Sequence, residues 1–446
     1  MKYRSSLKLS IIIIMIILIY FIAGCGMKDN DAKAKEEPNR EEISAGRDEK
    51  ENSNNSEGNK DSVNEGNNSK ENSNSDSNES DNDDILNQMA EMTLEEKIGQ
   101  LLIVGLEGYS MDDNTLEMIE KHHVGGFILY KKNIKDVEQL VALTNSLKAA
   151  NSKNKIPLFI SIDEEGGIVS RMPEEVKKLP SSGTIGRMGN EELSYEVGKI
   201  LGHELNLFGF NMNFAPILDI NSNPQNPVIG DRAFGADKDI VSKLGVQTMK
   251  GIQSQGVISV VKHFPGHGDT SVDSHIGLPR VDHGLERLRE FELVPFARAI
   301  ENGADAVMVA HILFPQIDPD NPSTLSKTII TDILKGEMGF EGIVITDDMT
   351  MGAIVENYSI GDAVVKSILA GSDLILVCHG YENELQAIDA IRGAVEKGII
   401  SEDRIDESVY KVLKLKKKYN LNDKPVEKPD IQKLNKMIEE TLGMAS

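Results

Sequence analysis

The chain predicts a (β/α)8 barrel, because eight short apolar runs recur between residues 101 and 377 and amphipathic stretches of helical length separate them. Charged clusters also follow the third, fifth and seventh runs, and in a barrel those strand ends face one pocket. Eight such units in one chain favour closure over an open sheet. A doubly wound sheet is the rival architecture, but Gly166-Gly167 is too little for its dinucleotide fingerprint, since no Gly-x-Gly-x-x-Gly follows any run.

In chain order, residues 1–25 read as a targeting segment: Lys2, Arg4 and Lys8 precede an apolar run from Leu9 to Ile22, closed by Ala23-Gly24-Cys25. A cysteine at that junction resembles a bacterial lipobox, in which Cys25 becomes the new N-terminus and carries the lipid. A plain transmembrane anchor is the alternative, for which the run is short. The lipobox reading places the chain in the cell envelope, lipid-anchored on the extracytoplasmic face of the membrane. Residues 26–84 are Asn, Ser, Glu, Asp, Lys and Gly with almost no apolar side chain, so they cannot offset chain entropy by burial and are expected to form a disordered tether. A chain of that length reaches about 40 Å by square-root scaling.

The folded part is expected over residues 85–420, with strands at 101–104, 126–130, 157–162, 212–215, 257–261, 306–309, 342–345 and 374–377. Helices are expected at 137–150, 194–208, 240–255 and 291–302, then at 383–397. Residues 403–419 read as a last helix with a solvated basic face, and 421–446 as a polar tail. The net charge of −24 comes with no basic stripe, which excludes nucleic acid as a ligand. With Cys25 carrying lipid, Cys378 has no disulfide partner in the chain, and Leu374-Ile375-Leu376-Val377 before it suggest a buried, inert thiol.

The densest chemistry follows the fifth run: Lys262-His263-Phe264-Pro265-Gly266-His267-Gly268-Asp269, then Asp273-Ser274-His275. Asp163-Glu164-Glu165 follows the third run and Asp347-Asp348 the seventh. Carboxylates, imidazoles and cations in one cleft suit polar recognition and acid/base work. His263, His267, Asp269, Asp273 and His275 are all potential metal ligands, but Pro265, Gly266 and Gly268 break the helix that would align them, so no metal or cofactor is expected.

The run from Lys262 to Gly268, with Asp273-Ser274-His275 and Pro279, resembles the signature of glycoside hydrolase family 3, in its bacterial β-N-acetylhexosaminidase branch. Asp163-Glu164-Glu165-Gly166-Gly167, Arg171, Asn213-Phe214-Ala215-Pro216, Ile229 to Phe234 and Ile345 to Met349 match the same branch, across roughly residues 86–420. The resemblance implies Asp347 as the nucleophile that accepts the glycosyl group, and a dyad in which His275 is the acid/base and Asp273 orients it. It also implies a sugar subsite lined by Asp163, Arg171, Arg232, Lys262 and His263, with Glu165 and Met308 as lesser candidates. From the residues alone, Asp347 could equally cap a helix, Asp348 could be structural, and His275 could be a loop histidine bonded to carbonyls. Asp231 is the expected ion partner of Arg232.

The function expected is that of a retaining exo-β-N-acetylglucosaminidase acting on small saccharides or muropeptide-type fragments of wall or chitin, as a monomer. Its rivals are a β-glucosidase or glycoside phosphorylase of the same fold, and a non-catalytic sugar-binding lipoprotein. The chain has no tryptophan, so the broad stacking platform of a polysaccharide binder is missing.

Overall fold

The computed structural model describes residues 73–444; the signal-segment reading, Cys25 and the tether up to residue 72 lie outside them. Eight parallel strands close into a barrel in sequence order: β1 (Leu102–Val104), β2 (Gly126–Leu129), β3 (Phe159–Ile162), β4 (Met212–Asn213), β5 (Ile258–Phe264), β6 (Ala306–Val309), β7 (Ile343–Asp348) and β8 (Leu374–Val377). Closure is made by β1 against β8, with Ile103 opposite Leu376. Each strand falls on an expected run, because a parallel sheet covered on both faces needs continuous apolar sequence.

Alternation divides each strand between two cores. Ile103, Ile128, Phe159, Met212, Ile258, Val260, Met308, Ile343, Ile345, Leu374 and Leu376 share the cluster that fills the barrel. Leu102, Val104, Phe127, Leu129, Ile160 and Ile162 point outward into the layer under the helices. Each such fully buried aliphatic or aromatic side chain contributes about 1.5–3 kcal/mol, so the scaffold is set by burial and its polar strand ends are left for chemistry.

Some boundaries differ from expectation in ways that matter for the site. β5 and β7 run three residues past their apolar stretches, so Lys262, His263 and Asp347 belong to strands, fixed by pairing to β6 and β8 across local register shifts. A helix at Ser73–Ala90 occupies the end of the expected tether; Ile85 and Met89, four apart, are buried, and the helix packs on Glu402–Lys418. That second helix is not uniformly solvated on its basic face. Its Val412 and Leu415 join the barrel core, and Lys416 is buried, donating to Gln100 Oε1 at 2.8 Å and Gly125 O at 2.9 Å above the Phe159 ring. Nor is it the last helix. Ile431–Gly443, capped by Asp430, buries Leu434, Ile438 and Thr441 and packs on Glu191–Leu207, so the expected polar tail is polar only on its outer side. The β6–β7 crossover, for which no helix was expected, is a π-helical stretch at Thr328–Glu337. No helix among the described residues is long and apolar enough to cross a membrane.

Candidate active site

The inward faces of three strands carry the pocket floor. On β7 the residues that face in are Ile343 and Ile345, so the next in step is Asp347; on β5, Ile258 and Val260 are followed by Lys262. Asp163 stands just beyond β3, two residues after Ser161. These three, with Glu165, Arg171, Arg232, His263, His267, His275 and Met308, line one cavity of about 390 Å3 at the C-terminal mouth of the barrel. That volume is within the usual range for small-molecule sites, about 300–1,000 Å3.

Two cations and two carboxylates interlock there. Lys262 Nζ lies 2.6 Å from Asp163 Oδ1 and 2.8 Å from Glu165 Oε1. Arg232 meets Glu165 through both arms, Nε to Oε2 at 2.9 Å and Nη2 to Oε1 at 2.8 Å. Arg232 therefore pairs with Glu165 and not with Asp231, whose carboxylate turns outward to Arg187 at 2.9 Å and to the Ser181 hydroxyl. The sequence neighbour lost because the Gly230–Arg232 turn is a single 3-10 turn that points the two side chains apart. Burial works against the charges of Glu165, Lys262 and Arg232. For Glu165 it is outweighed by Lys262 and Arg232, which hold the carboxyl far below its usual range; for Lys262 it is outweighed by Asp163 and Glu165, which raise the ammonium.

His263 is pinned by a residue the sequence reading passed over. Asp219, fully buried, takes His263 Nδ1 at 2.7 Å and the His267 N–H at 2.6 Å, which leaves Nε2 as the nitrogen of His263 not committed to the scaffold. An acid inside Ile217-Leu218-Asp219-Ile220 was the available signal, since a buried carboxylate in an apolar run demands partners. His267 is held by Thr270 and Ser274, and burial together with His263 pushes it down to about 4, so it is neutral.

The two adjacent aspartates divide their work. Asp348 is consumed by the scaffold: it accepts the N–H groups of Cys378 (3.0 Å) and Thr350 (2.9 Å) and the Thr350 hydroxyl (2.6 Å). Asp347 accepts only the Asp348 N–H, at 2.9 Å, and otherwise faces the cavity. Burial would raise its carboxyl, but His311, His263, that N–H and Lys262 outweigh it and keep it below its ordinary value. Cys378 is buried and burial raises its thiol, as an inert thiol requires.

The loop after β5 supplies the remaining pair. His275 Nδ1 lies 2.8 Å from Asp273 Oδ1, which also accepts the His275 N–H at 2.9 Å. The His275 ring is 67% exposed yet borders the same cavity as Asp347. Its loop is clipped to the turn after β7: Ala353 N–H donates to Ser274 O at 3.1 Å, and a Cβ on Gly352 would stand 2.7 Å from His275 O. Tyr130 and His379, whose rings lie 5.1 Å apart, complete the rim.

Residues 93–415 match the model of the glycosyl hydrolase family 3 N terminal domain. The chain is 36% identical over 326 residues to β-hexosaminidase A of Pseudoalteromonas piscicida, covering 68% of this chain and 54% of that one. It is likewise 36% identical over 326 residues to the β-hexosaminidase of Hydrogenovibrio crunogenus, covering 70% and 88%. Thus it spans about half of the first relative and most of the second. Among solved structures, a family 3 β-N-acetylglucosaminidase from Paenibacillus sp. str. FPU-7 superposes with a TM-score of 0.74 at 43% identity, over 78% of this chain and 68% of that one. The β-N-acetylhexosaminidase of Beutenbergia cavernae gives 0.69 at 29% identity, over 74% and 99%. With the barrel, the strand-end carboxylates and these matches in agreement, the chain belongs to glycosyl hydrolase family 3 and is a glycoside hydrolase.

Proposed function

We propose that the chain is a retaining exo-β-N-acetylglucosaminidase whose nucleophile is Asp347 and whose acid/base is His275, oriented by Asp273. The observation that carries the reading is the contrast between the two strand-end aspartates: Asp348 is saturated with scaffold hydrogen bonds, whereas Asp347 is kept ionised and open to the cavity. The names of the relatives supply the sugar. Asp347 attacks the anomeric carbon as the bond to the leaving oxygen breaks, and that oxygen takes a proton from the His275 ring. Water then gives a proton back to His275 while its oxygen displaces Asp347, so configuration is retained. A histidine in this post avoids setting another anion opposite Asp347.

Asp163, Lys262, Arg232, His263 and Arg171 present donors and acceptors for the ring hydroxyls. A cavity of about 390 Å3 without tryptophan suits a terminal sugar of a short fragment, from wall or chitin, better than a long polymer. The N-terminal lipobox resemblance supports an enzyme anchored by Cys25 on the outer face of the cell membrane, where muropeptide-type fragments arise. The test is trapping: incubation with an activated 2-fluoro glycosyl donor should add one sugar mass to the protein, with the modified peptide ending the β7 strand at Asp347. Labelling of Glu165 or Asp348 in its place overturns the assignment.

A further inference from the structure

Of the subsite residues on the connection after β3, Arg171 lies farthest along the chain from the strand. It lies on the connection between β3 and the helix Ser182–Met188, nine residues after the strand ends at Ile162. Its Nε is buried with no hydrogen-bond partner among the described residues, while the side chain borders the cavity. Something other than the guanidinium must fix its backbone.

We propose that Glu164 is the positioning residue for Arg171, a buried carboxyl clasp that sets where the guanidinium enters the sugar subsite. The inference rests on Arg171 binding substrate as read above. Glu164 is 2% exposed and is itself locked to β4, its N–H donating to Asn213 Oδ1 at 3.0 Å and its carbonyl accepting from Asn213 Nδ2 at 2.9 Å. From that anchor its Oε2 takes the Arg171 N–H at 2.6 Å and the Met172 N–H at 3.4 Å. The Met172 carbonyl is held from the other side by Lys131 Nζ at 2.9 Å, beyond β2. Between anchor and clasp the chain makes a tight reversal at Gly166 and Gly167, both at positive φ, closed by Glu165 N–H to Val169 O at 2.9 Å. Glu164 is thus the base of a short hairpin loop whose returning arm bears Val169 and Arg171.

The charged groups that face the Glu164 carboxyl are Arg171 on its own loop and Glu204 on Glu191–Leu207. Burial pushes Glu164 up to about 7. What the clasp needs is an acceptor oxygen of the right length, which glutamine also supplies and methionine, of similar volume, does not.

The experiment compares Glu164→Gln, Glu164→Met, Arg171→Ala and the Glu164→Met/Arg171→Ala pair with wild type on an aryl N-acetylglucosaminide. Expected are a KM raised about tenfold in Glu164→Met with kcat within about threefold, near-normal behaviour in Glu164→Gln, and no further loss in the pair beyond Arg171→Ala. Residue-resolved hydrogen exchange on wild type should show the Arg171 N–H protected like a strand amide, and this needs no variant to fold. An Arg171 N–H that exchanges as fast as an open loop overturns the clasp. So does a KM loss in Glu164→Met that persists unchanged without Arg171. If Arg171→Ala itself leaves KM unchanged, it is the substrate role of Arg171 that fails, and the positioning claim falls with it.

Discussion

The two halves of the pocket are built on opposite principles. The half around Lys262, only 2% exposed, is an array of charges paired with one another: Lys262 with Asp163 and Glu165, Arg232 with Glu165, His263 with Asp219. The other half, on the loop after β5, is a single His275–Asp273 pair with the His275 side chain 67% exposed. Pairing gives fixed geometry for binding. In the proposed mechanism, exposure is what lets His275 Nε2 exchange protons with a leaving group and with water, which a buried imidazole such as His267 cannot do. Binding and proton transfer are therefore separable by mutation.

The sharpest break lies within β7. Asp347→Ala should cut kcat on the order of 10^4-fold or more, as loss of a covalent nucleophile does, while its melting temperature stays close to wild type because one N–H contact is lost. Asp348→Ala should show the reverse emphasis, losing about 2–4 kcal/mol of stability through stranded Cys378 and Thr350 N–H groups, read by denaturant unfolding. Next in size is His275→Ala, with losses of about 10^2–10^4-fold on a natural disaccharide, a much smaller loss on an activated aryl glycoside, and no change in melting temperature. Equal proportional losses on both substrates would return His275 to a structural role.

Gly352→Ala is a milder version of the same damage. Its added Cβ meets His275 O and Ile276 O, so the His275 loop must move while Asp347 stays; kcat should fall about tenfold with KM little altered. The smallest effect is on stability against pH. Glu164 titrates at about 7 in the fold against about 4.3 unfolded, so the native state binds the extra proton and wild-type stability falls as pH rises through that window. Glu164→Gln lacks this penalty. Its melting temperature relative to wild type should therefore climb by a few degrees between pH 5 and pH 8, and a flat difference would deny the raised titration.

The fold was legible because a strand buried on both faces writes itself as an apolar run, and the helix Val137–Ala150 matched its expected bounds residue for residue. Strand ends were harder. Lys262 and Asp347 break the apolar run that marks a strand, although backbone pairing continues through them, and nothing in the sequence announces the cis Lys262–His263 peptide. The pocket members were legible one at a time, but their partners were not. Arg232 has an acid beside it in the chain and pairs with Glu165, 67 residues away; Asp219 stands out as an acid in an apolar run, but that its partner is His263 shows only in the fold. Pairings across a barrel are set by topology, which local sequence does not encode.

The final helix joins the pocket to the far end of the chain. Asn435 donates to Glu175 O and accepts the Lys177 N–H, both at 2.8 Å, and Glu439 pairs with the Lys177 ammonium, so the arm that leaves Arg171 is tied to Ile431–Gly443. Anything that tugs on that helix, such as a surface linkage, a fused partner or an affinity tag placed after residue 443, pulls on the arm that carries Arg171 from outside the barrel. For anyone building with this enzyme, the C-terminus is a control handle.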